Sequence, residues 1–194
     1  MKTIVKTTAV IAFVLTTAIG MARDGEVSLR TTKEAKSVVL TMEKVLSDVT
    51  VRITDADDNL LYAETLADGT LVKRFDMRNL PEGMYYISTS DVYKTLIYTV
   101  SLKNGEANIL LEENIAKPHF RKTKEKMFIN FLNLDKSKVE IKVYDAEYRL
   151  VFSETIMEKM IVEKAFDFKK AFAGNYRIVV TDAKNSYAEN FIVD

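Results

Sequence analysis

Val49, Val51 and Ile53 alternate with Thr50, Arg52 and Thr54, a period of two that predicts a strand buried on one face. Leu71, Lys73 and Phe75 alternate with Val72 and Arg74 in the same way. Apolar-rich runs at Val27 to Arg30, Lys36 to Met42, Leu60 to Thr65, from Tyr85 through Ile87, at Thr95 to Leu102 and at Ala107 to Leu111 predict further strands. Turn residues punctuate them at Asp55 to Asp58, Ala67-Asp68-Gly69, Asp91 to Lys94 and Lys103 to Glu106, as closely spaced strands require. Asp58 suits the position near the end of its hairpin loop that takes a positive φ. Asp76 opens a segment holding Pro81 and Gly83, which allows a single helical turn capped by the aspartate and no long helix.

The strand pattern occurs twice. VTVRITDADDNLLYAET (Val49 to Thr65) returns as VEIKVYDAEYRLVFSET (Val139 to Thr155), a spacing of 90. One residue enters after Thr155, and a spacing of 91 then matches Phe75-Asp76 with Phe166-Asp167, Gly83 with Gly174, Tyr85 with Tyr176 and Asp91 with Asp182. Tyr148 stands where Asp58 does, and a bulky residue at positive φ predicts a turn built differently in the second copy. A period this long implies two complete units. The fold class expected is therefore all-β: two tandem immunoglobulin-like antiparallel β-sandwich domains, at 23–113 and 114–194, with Glu112 to Lys117 as the linker.

Ahead of them, Lys2 and Lys6 precede an apolar run from Thr8 to Ile19 and the small residues Gly20 and Ala22, the pattern of a cleaved signal peptide over 1–22. A membrane span needs about 20 apolar residues, so the reading is export without a transmembrane anchor, to the periplasm, the cell surface or the medium. The chain has no cysteine, so apolar burial must hold the fold without disulfides. Its 28 Lys and Arg balance 28 Asp and Glu, and no basic stripe with interleaved aromatics points to nucleic acid.

The shared residues are Val51, Ile53, Asp55, Ala56, Leu60, Tyr62, Phe75, Asp76, Gly83, Tyr85 and Ile87, and again Ile141, Val143, Asp145, Ala146, Leu150, Phe152, Phe166, Asp167, Gly174, Tyr176 and Ile178. This pattern resembles the small β-sandwich C-terminal sorting domains of type IX secretion cargo, and related stand-alone families of secreted Bacteroidota proteins. The resemblance implies the sandwich fold for both halves and, as an alternative function, a component or substrate of type IX secretion.

Candidate chemistry is sparse. Asp55, Asp57 and Asn59 spell the opening of a calcium loop, but Leu60 follows where glycine is needed, and an acidic hairpin explains the residues better. Glu64 and Glu154 recur with Lys73 and Lys164, which predicts an exposed cross-strand ion pair in each domain rather than a catalytic dyad. His119 is the one histidine, too little for a zinc site or a nucleophile and its base. The expectation is a non-enzymatic binding or scaffolding protein without cofactor or metal, acting on a protein or glycan partner. Where the copies differ, Met84, Tyr86 and Tyr93 stand against Asn175, Arg177 and Lys184, so the ligand-binding candidates are Tyr86, Tyr93 and Met84.

Overall fold

The computed structural model describes residues 25–32 and 36–194, together with the backbone of Ile11–Phe13. The expected signal peptide, 1–22, lies outside the described residues apart from those three. The chain divides into two compact units, called here domain one (to Ile115) and domain two (from Ala116, with Ile11–Phe13). The strands are β1 (Ile11–Phe13), β2 (Glu26–Thr31), β3 (Ser37–Val45), β4 (Val49–Asp55), β5 (Leu60–Leu66), β6 (Gly69–Asp76), β7 (Gly83–Ser90), β8 (Lys94–Lys103) and β9 (Glu106–Ala116). They continue with β10 (His119–Lys122), β11 (Lys126–Leu132), β12 (Val139–Tyr144), β13 (Leu150–Ile156), β14 (Ile161–Asp167), β15 (Gly174–Thr181) and β16 (Ser186–Val193). Among the described residues no helix is long and apolar enough to cross a membrane.

Domain one stacks the sheet β2-β3-β6 on the sheet β5-β4-β7-β8-β9, and domain two stacks β1-β14-β11-β10 on β13-β12-β15-β16. Strands 2 to 8 and 10 to 16 thus trace one topology twice, two antiparallel sheets around one apolar layer. Alternation sets the register. Val49, Val51 and Ile53 are buried, as are Val139, Ile141 and Val143, and a slip of one residue would turn either set to solvent. The loop between β13 and β14 (157–160) carries the extra residue relative to 67–69, whose last member, Gly69, already belongs to β6.

Two local expectations are corrected. The segment 112–116 is strand, because Asn104 (φ 53°) and Gly105 (φ 81°) form a two-residue turn that folds β9 back on β8. Ala107 is then buried and Ile109 packs on the core, leaving Lys117 and Pro118 between β9 and β10. The second copy's hairpin is also built like the first: Tyr148 has φ 58° and Asp58 has φ 61°. The Tyr148 N–H donates to the Asp145 carbonyl at 3.0 Å, as Asp58 N–H does to Asp55 at 3.2 Å. Loop hydrogen bonds, described below, outweigh the cost of a left-handed tyrosine, and its ring stands in solvent, 79% exposed.

Each domain carries a corner at the start of the strand after its Pro or Ala-Gly turn. Tyr85 Oη donates to the Pro81 carbonyl at 2.8 Å, and Tyr176 Oη to the Phe172 carbonyl at 3.0 Å. A tyrosine reaching back four residues to the backbone is the corner that immunoglobulin-like sandwiches place at this point. The preceding turn is one hydrogen-bonded turn in both copies, Leu80 N–H to the Met77 carbonyl and Ala171 N–H to the Phe168 carbonyl. The aspartate before it caps it: Asp76 Oδ1 accepts from Arg78 N–H and Asp167 Oδ1 from Lys169 N–H, which satisfies donors the short turn cannot.

Candidate functional site

The outer face of domain one's larger sheet is where the copies part. Alternation turns Tyr85 and Ile87 inward, so Met84, Tyr86, Ser88 and Ser90 point out. Cross-strand pairing lines them up with neighbours. Tyr86 stands between Thr54 of β4 and Thr99 of β8, Ser88 between Arg52 and Ile97, Ser90 between Thr50 and Thr95, and Met84 beside Ser101. Seven hydroxyl side chains therefore share this face with one half-buried tyrosine, Thr54 and Thr99 directly beside it, and Ser90 and Thr95 hydrogen-bond each other at 3.1 Å. Arg52 is the one charge among these four rows.

The matching face of domain two is charged. Its rows run Tyr144–Arg177–Asn190, Lys142–Val179–Ala188 and Glu140–Thr181–Ser186. Glu140 takes ion pairs from Lys138 at 2.6 Å and Lys142 at 2.9 Å. Hydrogen bonds from these two lysines, then their charges, hold its carboxyl down at about 2. Lys142 is pushed up in return by its bond to Glu140.

Of the three residues expected to form the site, Met84 and Tyr86 share this face and Tyr93 does not join them. Tyr93 sits in the turn after β7, where its N–H and that of Lys94 both donate to Asp91 Oδ1 at 2.7 Å. Asp91 lies five residues beyond Tyr86, about 16 Å along an extended strand. Thr54, Thr99 and Ile97 complete the face, and they could have been found only from the register, since alone each reads as an ordinary strand residue.

The acidic turn is a clamp on its own backbone. Asp55 Oδ1 accepts from Asp57 N–H at 3.0 Å and Asn59 N–H at 2.9 Å, and Oδ2 accepts from Asn59 Nδ2 at 3.0 Å. The Asn59 side-chain bond, then its backbone bond, hold the Asp55 carboxyl below the usual range. In domain two Asp145 receives Glu147 N–H, Arg149 N–H and Arg149 Nε. Here burial would raise the carboxyl, but the Arg149 bonds and charge outweigh it and leave it lowered. Among the described residues no group of three His, Asp or Glu could hold a metal ion.

The repeated glutamates pair with the repeated lysines, Glu64 with Lys73 and Glu154 with Lys164, but not across neighbouring strands. β5 and β6 belong to different sheets, as do β13 and β14, so each pair bridges the open side of its sandwich. The loop between those strands is a crossover from one sheet to the other, which strand spacing alone does not reveal. Nor are both pairs exposed: the Lys73 side chain is 28% accessible and that of Lys164 only 8%. Each ammonium also lies over a ring, Tyr62 at 5.4 Å and Phe152 at 5.6 Å, where the π face favours a cation. On domain one this side opens into a groove of ≈ 520 Å³ lined by Leu61, Tyr62, Phe75 and Leu80, with Glu64 and Lys73 at its edge.

No protein-family model matches the chain, and no curated protein matches it in sequence. Among solved structures 62 chains match. The BSP domain of a biofilm-associated protein is 16% identical with a TM-score of 0.28, the match covering 88% of this chain and 29% of that one. The chicken CNTN1 FN1–FN3 domains are 8% identical with a TM-score of 0.29, over 81% of this chain and 60% of that one. A two-domain fibronectin type III segment of chicken tenascin is 10% identical with a TM-score of 0.28, over 88% of this chain and all of that one. The assignment as tandem immunoglobulin-like or fibronectin type III-like sandwiches rests on the strand order and the two tyrosine corners.

Proposed function

We propose that the protein is a non-catalytic binding module pair acting outside the cytoplasm, and that domain one presents the β4-β7-β8 face around Tyr86 to a glycan. The carrying observation is the row Thr54–Tyr86–Thr99 with its flanking Ser88, Ser101 and Arg52. An aromatic ring offers a stacking surface, and hydroxyls that both donate and accept match the hydroxyls of a sugar. Protein interfaces are depleted in serine and built on several apolar anchors, whereas this face has one tyrosine with Ile97 and Met84 at its margins. Export rests on the leader pattern in the sequence.

The test is binding of the parent chain and of Tyr86→Ala and Thr99→Val variants to a panel of bacterial and host polysaccharides. The expected result is saturable binding to at least one glycan that Tyr86→Ala abolishes, with folding intact by circular dichroism. A parent chain that binds no glycan, or a variant that binds as the parent does, removes the proposal. The type IX secretion reading predicts instead that the face is dispensable and that export fails in cells lacking that secretion system, which fractionation of both strains would show.

A further inference from the structure

Domain two has an added strand at an edge that domain one leaves bare. β6 and β14 are equivalent strands, and among the described residues β6 has no neighbour beyond it, while β14 pairs antiparallel with Ile11–Phe13. The ladder is Ile11 with Asp167, Ala12 with Phe166 and Phe13 with Ala165. Burial follows the difference. Ala165, opposite Phe13 in that ladder, is 1% exposed although it faces away from the core side of Phe166 and belongs to no core cluster. The strands also differ in their middle outward residue, Ala165 on β14 against Arg74 on β6. Arg74 reaches over its own sheet to Ser37 Oγ at 3.1 Å, and a long charged side chain on an edge discourages a further strand. Glu163 and Asp167 flank Ala165 on the outward side, Asp167 paired with Lys126 at 3.7 Å, so the smallest, uncharged position is where the added strand crosses.

We propose that the outer edge of β14 is a strand-acceptor site and that its occupant is this chain's own apolar N-terminal run around Ile11–Phe13. Backbone pairing supplies the attraction and Ala165 supplies the clearance, the mode by which an extended segment adds to a sheet edge. The site does not depend on the glycan reading of domain one. It does bear on the leader: removing residues 1–22 would vacate the ladder, so the edge is covered before processing and open after it.

The chain has no cysteine, so engineered pairs are read without background. Full-length Phe13→Cys, Ala165→Cys protein should form an intramolecular disulfide under mild oxidation, and Phe13→Cys, Arg74→Cys protein should not. Equal yields, or none in the first, would overturn the proposal. A chain beginning at Arg23 should bind a lysine-tagged peptide of residues 8–19, followed by fluorescence anisotropy. Ala165→Arg, which copies the residue domain one already tolerates, should weaken that binding roughly tenfold or more. No binding, equal binding by the variant, or a self-association through β14 that the peptide fails to displace would each overturn it.

Discussion

Tyr98 in domain one and Glu189 in domain two occupy the same place in the repeat, opposite Ile87 and Ile178 respectively. Tyr98 is 1% exposed because β9 lies beyond β8 and completes the cover. No strand lies beyond β16 among the described residues, and there the inward position is Glu189, which pairs with Lys122 of β10. An inward charge on an edge strand is a known guard against unwanted pairing. The two domains thus share their turns, corners and core alternation and differ in how each margin is finished. What the fold needs is repeated, and what each margin meets is not.

The interiors show the same division. Domain two gathers Phe152, Phe166, Phe168, Tyr176 and Phe191, with ring centroids 5.0 Å apart for Phe152–Phe166, 5.1 Å for Phe168–Tyr176 and 4.6 Å for Phe168–Phe191. In domain one the corresponding residues are Tyr62, Phe75, Met77, Tyr85 and Val100, and Phe75 meets Tyr62 edge-on at 5.3 Å beside the open groove. Phe166→Ala should therefore cost about 3–5 kcal/mol, and Phe75→Ala less, since one wall of its site is already open to water. Hydrogen exchange resolved by domain would check this. Equal losses would mean that the groove is closed in solution.

The bridging ion pairs sharpen the contrast. Glu154→Gln leaves the mostly buried Lys164 ammonium without its carboxylate and should destabilise domain two by about 2 kcal/mol. Glu64→Gln, beside a more accessible lysine, should cost about 0–1 kcal/mol. Lys164→Met should cost less than Glu154→Gln, because it removes the buried charge and the carboxylate left behind on Glu154, 36% accessible, can be hydrated. Urea unfolding of the three variants measures all of this, and a Glu64→Gln loss as large as that of Glu154→Gln would break the distinction.

The tyrosine corners test what the domains share. Tyr85→Phe and Tyr176→Phe each remove one hydroxyl bonded to a backbone carbonyl, so each should cost about 1 kcal/mol. The two losses should match within the error of a denaturant titration. A corner that proved dispensable in one domain would show that its loop is held by other contacts.

How much of this was legible follows from what repeats. Alternation at Val49 to Ile53 and at Val139 to Val143 set the sandwich class, and the shared Tyr85 and Tyr176 were readable as inward residues. The residues that carry the secretion-cargo resemblance are mostly core and turn positions, Ile53, Phe75, Tyr85 and Ile87 among them, so they inform on fold and leave function open. Which sheet a strand joins is not written in its own residues, and so Glu64 and Lys73 were expected side by side in one sheet. The rows around Tyr86 depend on pairing across three strands, and the separation of Tyr93 from Tyr86 depends on where β7 ends. The strand at Ile11–Phe13 was hidden for another reason: an apolar run reads as a leader whether or not a sheet edge can hold it.

The smallest expected effect is in acid, where the clamps of the two domains should respond alike in direction and differ in their partners. Asp76 in domain one is held at about 2, first by the Arg78 side-chain bonds and then by the Arg78 N–H, and Glu140 in domain two at about 2 by Lys138 and Lys142. Both folded values lie below the ordinary values of 3.8 for Asp76 and 4.5 for Glu140. Between those limits the unfolded chain binds protons that the folded one refuses, so stability rises with pH. The contribution is whole above the unfolded values and is lost as pH falls through the folded ones, a window from about 4.5 down to about 2. Carboxyl carbon shifts followed by NMR should place Asp76 and Glu140 at the bottom of that window, with Asp55 and Asp145 below the ordinary aspartate value. Arg78→Ala should return Asp76 toward its ordinary value and leave Glu140 where it was, and Lys142→Ala should move Glu140 alone, leaving it partly lowered because Lys138 remains. If either substitution shifted the carboxylate of the other domain, the two would not be the electrostatically separate units that their own ion pairs describe.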